Sequence, residues 1–280
     1  MTGEATMLTR LIPSTGEAMP AIGVGTYDTF DTGPDKAARE PLRQVLRELF
    51  AAGGAMIDSS PMYGSAEEVT GDLLADIGMR EAAFVATKVW IEGRERGIAQ
   101  MRASMAKLRC EAIDLMQVHN LVDWRTQLAT VRAWKAEGLI RHDGITHYTP
   151  RAFRELERAI AAEKPQFVQL PYSIAVRDAE DRILDVCADN GAAVIVNRPV
   201  DGGGLFRAVR GRALPDWAAE FDCASWGQFF LKYLLGHPAV TCLIPGTSDP
   251  AHARDNVAAG RGRLPDAGMR ARMAALVDGL

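Results

Sequence analysis

Eight short apolar runs recur along the chain, each followed by a stretch with helical periodicity, at intervals of roughly 30 residues. The runs fall at residues 22–25, 55–58, 83–87, 113–118, 144–146, 167–170, 193–197 and 241–244. The helices are expected at 36–52, 66–77, 97–108, 123–137, 150–161, 178–190, 225–235 and 250–258. In the first of these, Leu42, Val45, Leu46 and Leu49 share one face. Gly53-Gly54, Gly78, Gly138 and Gly191 punctuate helix ends. A strand regained through a crossover helix lies parallel to its predecessor, and eight such units match a (β/α)8 barrel. The competing doubly wound sheet shows five or six units and a glycine-rich first turn. Gly23 and Gly25 begin that turn's G-x-G-x-x-G pattern, but Asp28 stands at its third glycine, so the pattern fails.

Before the first run, residues 11–20 place apolar arms around Ser14-Thr15-Gly16-Glu17, which reads as a β-hairpin. No linker divides the 280 residues, so a single α/β domain spanning 1–280 is expected. The stretch 201–223, rich in Gly, Arg and Pro, reads as a loop over a site. A net charge of -4 supplies no electrostatic footprint for nucleic acid or an anionic membrane. Cys110, Cys187, Cys223 and Cys242 are widely spaced, which suggests neither a disulfide framework nor a zinc knuckle. The N-terminal MTGEATMLTR lacks an apolar targeting core, and no run reaches transmembrane length. A soluble, cytoplasmic protein is expected.

Four ionisable residues stand at or just after strand ends: Asp58, Tyr63, Lys88 and His119. Taken singly, each has an ordinary structural reading, such as a helix cap, a packing residue or a solvated charge. Side chains that end neighbouring parallel strands converge on one rim of a barrel, where such folds place their chemistry. A free tyrosine titrates near pH ~10 and is a poor acid at neutrality. An ammonium beside it favours the phenolate, so Lys88 is expected to lower the Tyr63 pKa, with Asp58 keeping Lys88 charged and oriented. His119 can position a carbonyl oxygen or share the proton relay. A metal-dependent hydrolase would need convergent His and carboxylate ligands, and only His119 ends a strand suitably, so no metal is expected.

The stretches Gly23-Val24-Gly25-Thr26-Tyr27, Ile57-Asp58-Ser59-Ser60-Pro61-Met62-Tyr63-Gly64-Ser65-Ala66-Glu67, Ala86-Thr87-Lys88-Val89-Trp90, Ile113-Asp114-Leu115-Met116-Gln117-Val118-His119, Val168-Gln169-Leu170-Pro171-Tyr172 and Ile244-Pro245-Gly246-Thr247 resemble an aldo-keto reductase across nearly the whole chain. The resemblance implies a barrel whose N-terminal hairpin closes the bottom, and NADPH bound extended without a Rossmann domain, with NADH as the alternative. It implies hydride transfer to an aldehyde or ketone with a tyrosine as acid, and it maps the family's catalytic Asp, Tyr, Lys and His onto Asp58, Tyr63, Lys88 and His119. Family habit also implies a monomer.

On the cofactor side the chain departs from the family pattern. Thr146 and His147 replace a Ser-Asn pair that holds the nicotinamide carboxamide, while Gln169 is retained. Asn197 stands where many members stack an aromatic ring on the nicotinamide. Arg198 is a phosphate candidate or an ion-pair partner, and the backbone at Gly202 and Gly203 can approach a pyrophosphate closely. For the 2′-phosphate, Gly246 and His252 replace the usual basic residues, leaving Thr247, Ser248 and Arg254 as contacts at a helix N-terminus. Asp255 and Asn256 match the adenine-holding positions.

Tyr27, Trp90 and Asn120 are expected to line the pocket for a small carbonyl substrate. Only one short helix follows Leu264-Pro265, so the pocket is expected to be open, with selectivity broad or supplied by residues 201–223. The leading expectation is a nicotinamide-dependent carbonyl reductase. Its rival from another class is a nucleotide-binding sensor or accessory subunit of the same fold with little turnover, which the altered positions 146, 147 and 197 would suit.

Overall fold

The computed structural model describes residues 6–280, so the reading of residues 1–5 as part of an N-terminus without a targeting core lies outside the described residues. An antiparallel hairpin comes first: β1 (Thr9–Leu11) pairs with β2 (Ala18–Pro20), Arg10 opposite Met19. The strands β3 (Val24–Gly25), β4 (Met56–Asp58), β5 (Phe84–Val89), β6 (Ile113–His119), β7 (Ile140–Thr146), β8 (Phe167–Pro171), β9 (Ala193–Asn197) and β10 (Val240–Leu243) then pair in parallel, in chain order. A parallel bridge between Ile22 and Leu243 joins the outer strands: Gly23 N–H donates to Leu243 O at 2.8 Å and Leu243 N–H to Ala21 O at 2.9 Å. The sheet thus closes into a (β/α)8 barrel. Around it run α1 (Lys36–Ala51), α2 (Ala66–Ile77), α3 (Arg94–Lys107), α4 (Trp124–Ala136), α5 (Phe153–Glu163), α6 (Asp178–Asp181), α7 (Ile183–Asp189), α8 (Gly204–Ala208), α9 (Trp226–Leu235), α10 (Pro250–Ala259) and α11 (Ala267–Asp278).

Local chemistry sets these elements. Asp35 caps α1 by accepting from the N–H groups of Ala37 and Ala38, and the face Leu42, Val45, Leu46 and Leu49 is buried, as its periodicity requires. Gly78 ends α2 at φ 66°, a left-handed position where its N–H reaches back to Ala75 O.

The barrel interior has two halves, and strand alternation explains both. Along β5 the inward residues are Phe84, Ala86 and Lys88, and along β6 they are Leu115, Gln117 and His119. The N-terminal end is largely apolar: Met56, Phe84, Leu115, Phe167 and Ile195 pack with Ile12 and Met19 from the hairpin, which closes that end, and one buried imidazole, His142, lies against Phe84 and Phe167. The C-terminal end is polar, and there the site forms.

Three elements differ from the sequence expectation. Strand β7 begins at Ile140 rather than 144, because its polar residues are paired: Arg141 with Asp114 at 2.6 Å, and Asp143 with Arg132 and Lys135 at 3.4 and 3.3 Å. The helix expected at 178–190 breaks at Arg182 (φ -161°, ψ -43°), although Ala179, Ile183, Leu184 and Cys187 keep one buried stripe across the break. The expected loop 201–223 contains α8 and a 3-10 turn at Asp216–Phe221.

Gly23 and Gly25 have a packing role. A Cβ at Gly23 would lie 2.7 Å from Met56 O, and one at Gly25 2.9 Å from Ile244 O, so β3 can sit between β4 and β10 only without side chains there. Gly23→Ala is expected to lower stability by about 1–3 kcal/mol through overpacking. Urea unfolding of the two proteins checks this; an unchanged midpoint and slope would refute the packing role.

Candidate active site

At the C-terminal end of the barrel, Lys88 is fully buried, 0% exposed, and its Nζ donates at 2.6 Å to Asp58 Oδ2 and at 2.6 Å to Ser59 O. Asp58 Oδ1 accepts from Gln117 Nε2 at 3.0 Å and Gln169 Nε2 at 2.8 Å. Burial works against the Lys88 ammonium, but Asp58 and Tyr63 outweigh it and hold its pKa above the ordinary value.

Tyr63 follows β4 on the loop leading into α2, and its ring centroid lies 5.0 Å from Lys88 Nζ. Burial is the main influence on its hydroxyl and raises its pKa; Lys88 pulls the other way without prevailing. This corrects the expectation that the ammonium would lower the Tyr63 pKa: desolvation of the phenolate wins. The consequence suits an acid, because Tyr63 keeps its proton beside a cation that favours losing it.

His119 ends β6 with its ring centroid 6.0 Å from Tyr63 and 6.3 Å from Trp90. Burial first, then the charge of Lys88, pushes its imidazole down to about 3, so it is neutral at physiological pH. Its Nδ1 lies 3.1 Å from Ser60 Oγ. The backbone turns sharply after His119: Asn120 and Leu121 take φ 52° and 56°. Such conformations are costly for a branched side chain and cluster at functional sites. Tyr27 packs edge-on against Tyr63 at 5.1 Å. Tyr27 is 61% and Trp90 41% exposed, so the three proposed wall residues Tyr27, Trp90 and Asn120 border the quartet at an open mouth.

The cofactor-side residues divide into those the structure brings together and those it engages elsewhere. Gln169 Nε2 donates to Asp58 Oδ1 and to Gln117 Oε1 at 3.2 Å, while its Oε1 accepts from Thr146 Oγ1 at 3.2 Å and Asn197 Nδ2 at 3.3 Å. All four hydrogen-bonding capacities of the amide are thus in use inside the barrel. Asn197 Nδ2 also donates to His147 O at 3.1 Å, and its Oδ1 is buried without a partner. His147 Nδ1 accepts from the N–H groups of Tyr148 and Thr149 at 3.0 and 3.2 Å, which places the ring proton on Nε2.

After β9, Arg198 takes φ 53°, and Asp201, Gly202 and Gly203 follow as a positive-φ run at 49°, 56° and 83°, with Arg198 standing 3.9 Å from Asp201. Beside it a cavity of 250 Å³ is bordered by Tyr148, Pro171, Tyr172 and Arg198. At α10, Thr247 is buried and Ser248 exposed, and Asp249 caps the helix by accepting from Ala251 N–H at 2.7 Å. Arg254 is paired with Glu48 of α1 at 2.7 Å, and Asp255 accepts from Ser225 and Gln228 of the α9 start at 2.6 and 2.8 Å. Asn256 sits half-buried beside it on α10. His252 is exposed.

Two residues of the network were not singled out from sequence: Gln117 and Ser60. Gln117 was detectable, since it precedes His119 by two on a buried strand and must face the same way. A larger cavity, 740 Å³, lies at the opposite end, between the hairpin and β5. Its arginines are occupied: Arg80 by the carbonyls of Ala83 and Ala112, Arg109 by Asp72, and Arg141 by Asp114 and Glu17.

With this geometry in view, comparisons place the chain. The profile of the aldo/keto reductase family matches residues 21–276, and the chain belongs to that family. A pyridoxine 4-dehydrogenase of Escherichia coli is 30% identical, with 86% of this chain and 87% of its own length covered. A methylglyoxal reductase of the same organism is 28% identical over 90% and 89% of the two chains. Among solved structures, an aldo/keto reductase of Klebsiella pneumoniae in complex with NADP and acetate has the same fold, with TM-score 0.80 at 24% identity, covering 94% of this chain and 93% of that one.

The imidazole of His119 is neutral in the folded chain and titrates near pH ~6.5 in the unfolded one. The unfolded state therefore binds more protons below that value, and stability falls as pH drops from about 6.5 toward about 3. His119→Gln is expected to lose less stability than the parent between pH 7 and pH 4. Paired urea titrations at the two pH values measure the difference, and equal losses would contradict the assignment.

Proposed function

We propose that the chain is a nicotinamide-dependent reductase that converts an aldehyde or ketone to an alcohol, with Tyr63 as the proton donor. The observation carrying this reading is the buried Lys88–Asp58 pair set beneath a phenol that retains its proton. A carbonyl oxygen placed between Tyr63 and His119 meets two donors. As negative charge grows on that oxygen, the Tyr63 proton moves to it, and the Lys88 ammonium stabilises the phenolate left behind. Asp58 holds that ammonium in place through the step. Tyr27 and Trp90 offer flat apolar walls at the mouth, fitting small aliphatic or aromatic carbonyls. The methylglyoxal reductase and pyridoxine 4-dehydrogenase relatives support this substrate class.

The residues present fit the cofactor NADPH, with NADH as the alternative. NADPH supplies the hydride that reduces the carbonyl carbon. With Gln169 fully engaged, the carboxamide falls to His147 Nε2–H as donor and to Asn197 Oδ1, the buried acceptor without a partner. Arg198, Gly202 and Gly203 are assigned to the pyrophosphate. Thr247, Ser248 and Arg254 are assigned to the 2′-phosphate, and Asp255 and Asn256 to the adenine side. We further propose that this is a monomeric, soluble enzyme of one domain, needing no metal. The second reading, a nucleotide-binding sensor of the same fold, is favoured by Asn197, whose place in many relatives holds a stacking ring. Oxidation of bound NADPH by a panel of aldehydes in a single turnover separates the two: its absence would support the sensor.

Tyr63→Phe is expected to lower kcat by about 100- to 10,000-fold, the span of general acid catalysis, with NADPH affinity intact. Steady-state rates with parallel tryptophan-fluorescence titration check this, and near-parental turnover would overturn the role. Because Glu48 holds Arg254, Glu48→Gln is expected to tighten NADPH by up to about fivefold, the equivalent of an exposed ion pair of ~1 kcal/mol, with NADH unchanged. Equal effects on both nucleotides would remove Arg254 from the 2′-phosphate site.

A further inference from the structure

Ser60, between Asp58 and Tyr63 in sequence, is fully buried and reaches His119 Nδ1 at 3.1 Å. A hydroxyl and an imidazole nitrogen can share one hydrogen in either sense, so the distance alone leaves the tautomer open. The surroundings of Ser60 decide it. Its Oγ also accepts the Met62 N–H, at 3.4 Å, and has no further hydrogen-bond partner among the described residues. Were Nδ1 protonated and donating, the serine hydrogen would lie buried with nothing to receive it, an arrangement folded interiors avoid. With Ser60 donating to Nδ1, both the Ser60 hydroxyl and His119 Nδ1 are satisfied. The ring proton then sits on Nε2, the nitrogen left without a partner among the described residues, and 94% of the residue is out of solvent.

We propose that Ser60 is a positioning residue that fixes His119 as the Nε2–H tautomer, so that the imidazole meets the substrate oxygen as a neutral donor. The proposal rests on the reductase reading for its consequence, though the tautomer itself does not depend on that reading. A hydroxyl at position 60 thereby divides the labour in the site. His119 orients and polarises the carbonyl, while Tyr63 alone delivers the proton. Neutrality of the ring at physiological pH follows from its burial beside Lys88. With the other tautomer, Nε2 would present a lone pair to the carbonyl oxygen and repel it.

The test reads the tautomer directly. In the free protein labelled with ¹⁵N-histidine, His119, assigned by its loss in His119→Asn, is expected to show a protonated Nε2 and an unprotonated Nδ1. The reverse pattern overturns the proposal whatever the activity, since neither substrate nor cofactor is present. In Ser60→Ala the fixed pattern is expected to give way to a mixture, with kcat/KM for the carbonyl falling about tenfold at unchanged NADPH affinity, the scale of one lost hydrogen bond. Ser60→Thr, which keeps the hydroxyl, is expected to restore both. Retention of the Nε2–H pattern and parental kcat/KM in Ser60→Ala refutes the role, and the parental spectrum decides the matter alone if that variant does not fold.

Discussion

A charge with no access to water organises this molecule. The Lys88 ammonium lies inside a closed barrel, where an isolated charge costs several kcal/mol after relaxation. Two contacts at 2.6 Å, to Asp58 and to the carbonyl of Ser59, make its burial tolerable, and Asp58 in turn needs the amides of Gln117 and Gln169. The upper interior is thus polar because one cation is there, and the lower interior must be correspondingly well packed. The hairpin contributes Ile12 and Met19 to that lower half, sealing the end opposite the quartet. Removing either ionic partner would strand the other in a dry interior, which is costlier than losing the pair together.

The same constraint sets the electrostatics at the mouth. Burial that excludes water from Lys88 also raises Tyr63 and depresses His119. A phenol that stays protonated next to an ammonium, beside an imidazole that stays neutral, is a site with one movable proton. That clarity comes from desolvation more than from any pairwise contact.

Most of the architecture was legible in the chain. The repeat of strand and helix fixed the number of barrel strands, and the hairpin announced itself through its Ser-Thr-Gly-Glu turn. Where the reading fell short, the reason was pairing that only the folded state reveals. Residues 140–143 look too polar for a strand until Arg141 and Asp143 find Asp114, Arg132 and Lys135. Strand ends revealed the quartet, yet the direction of the Tyr63 shift needed the balance of burial against charge. Gln169 illustrates a further limit: the residue type was retained from the family pattern, but its four hydrogen bonds turn inward.

Those inward bonds have a sense of direction. Asp58 can only accept, so Gln169 must turn its nitrogen toward Asp58 and its oxygen toward β9. Asn197 must answer that oxygen with its own nitrogen, which leaves Asn197 Oδ1 as the loose end of the line. The amide orientation at the last strand of the network is therefore set twice, through Gln169 by a carboxylate on β4 and directly by the backbone carbonyl of His147. Replacing that carboxylate would free the Gln169 amide to turn over while the His147 carbonyl still held Asn197, so a change at one wall of the barrel would set the two neighbouring amides against each other at the opposite wall.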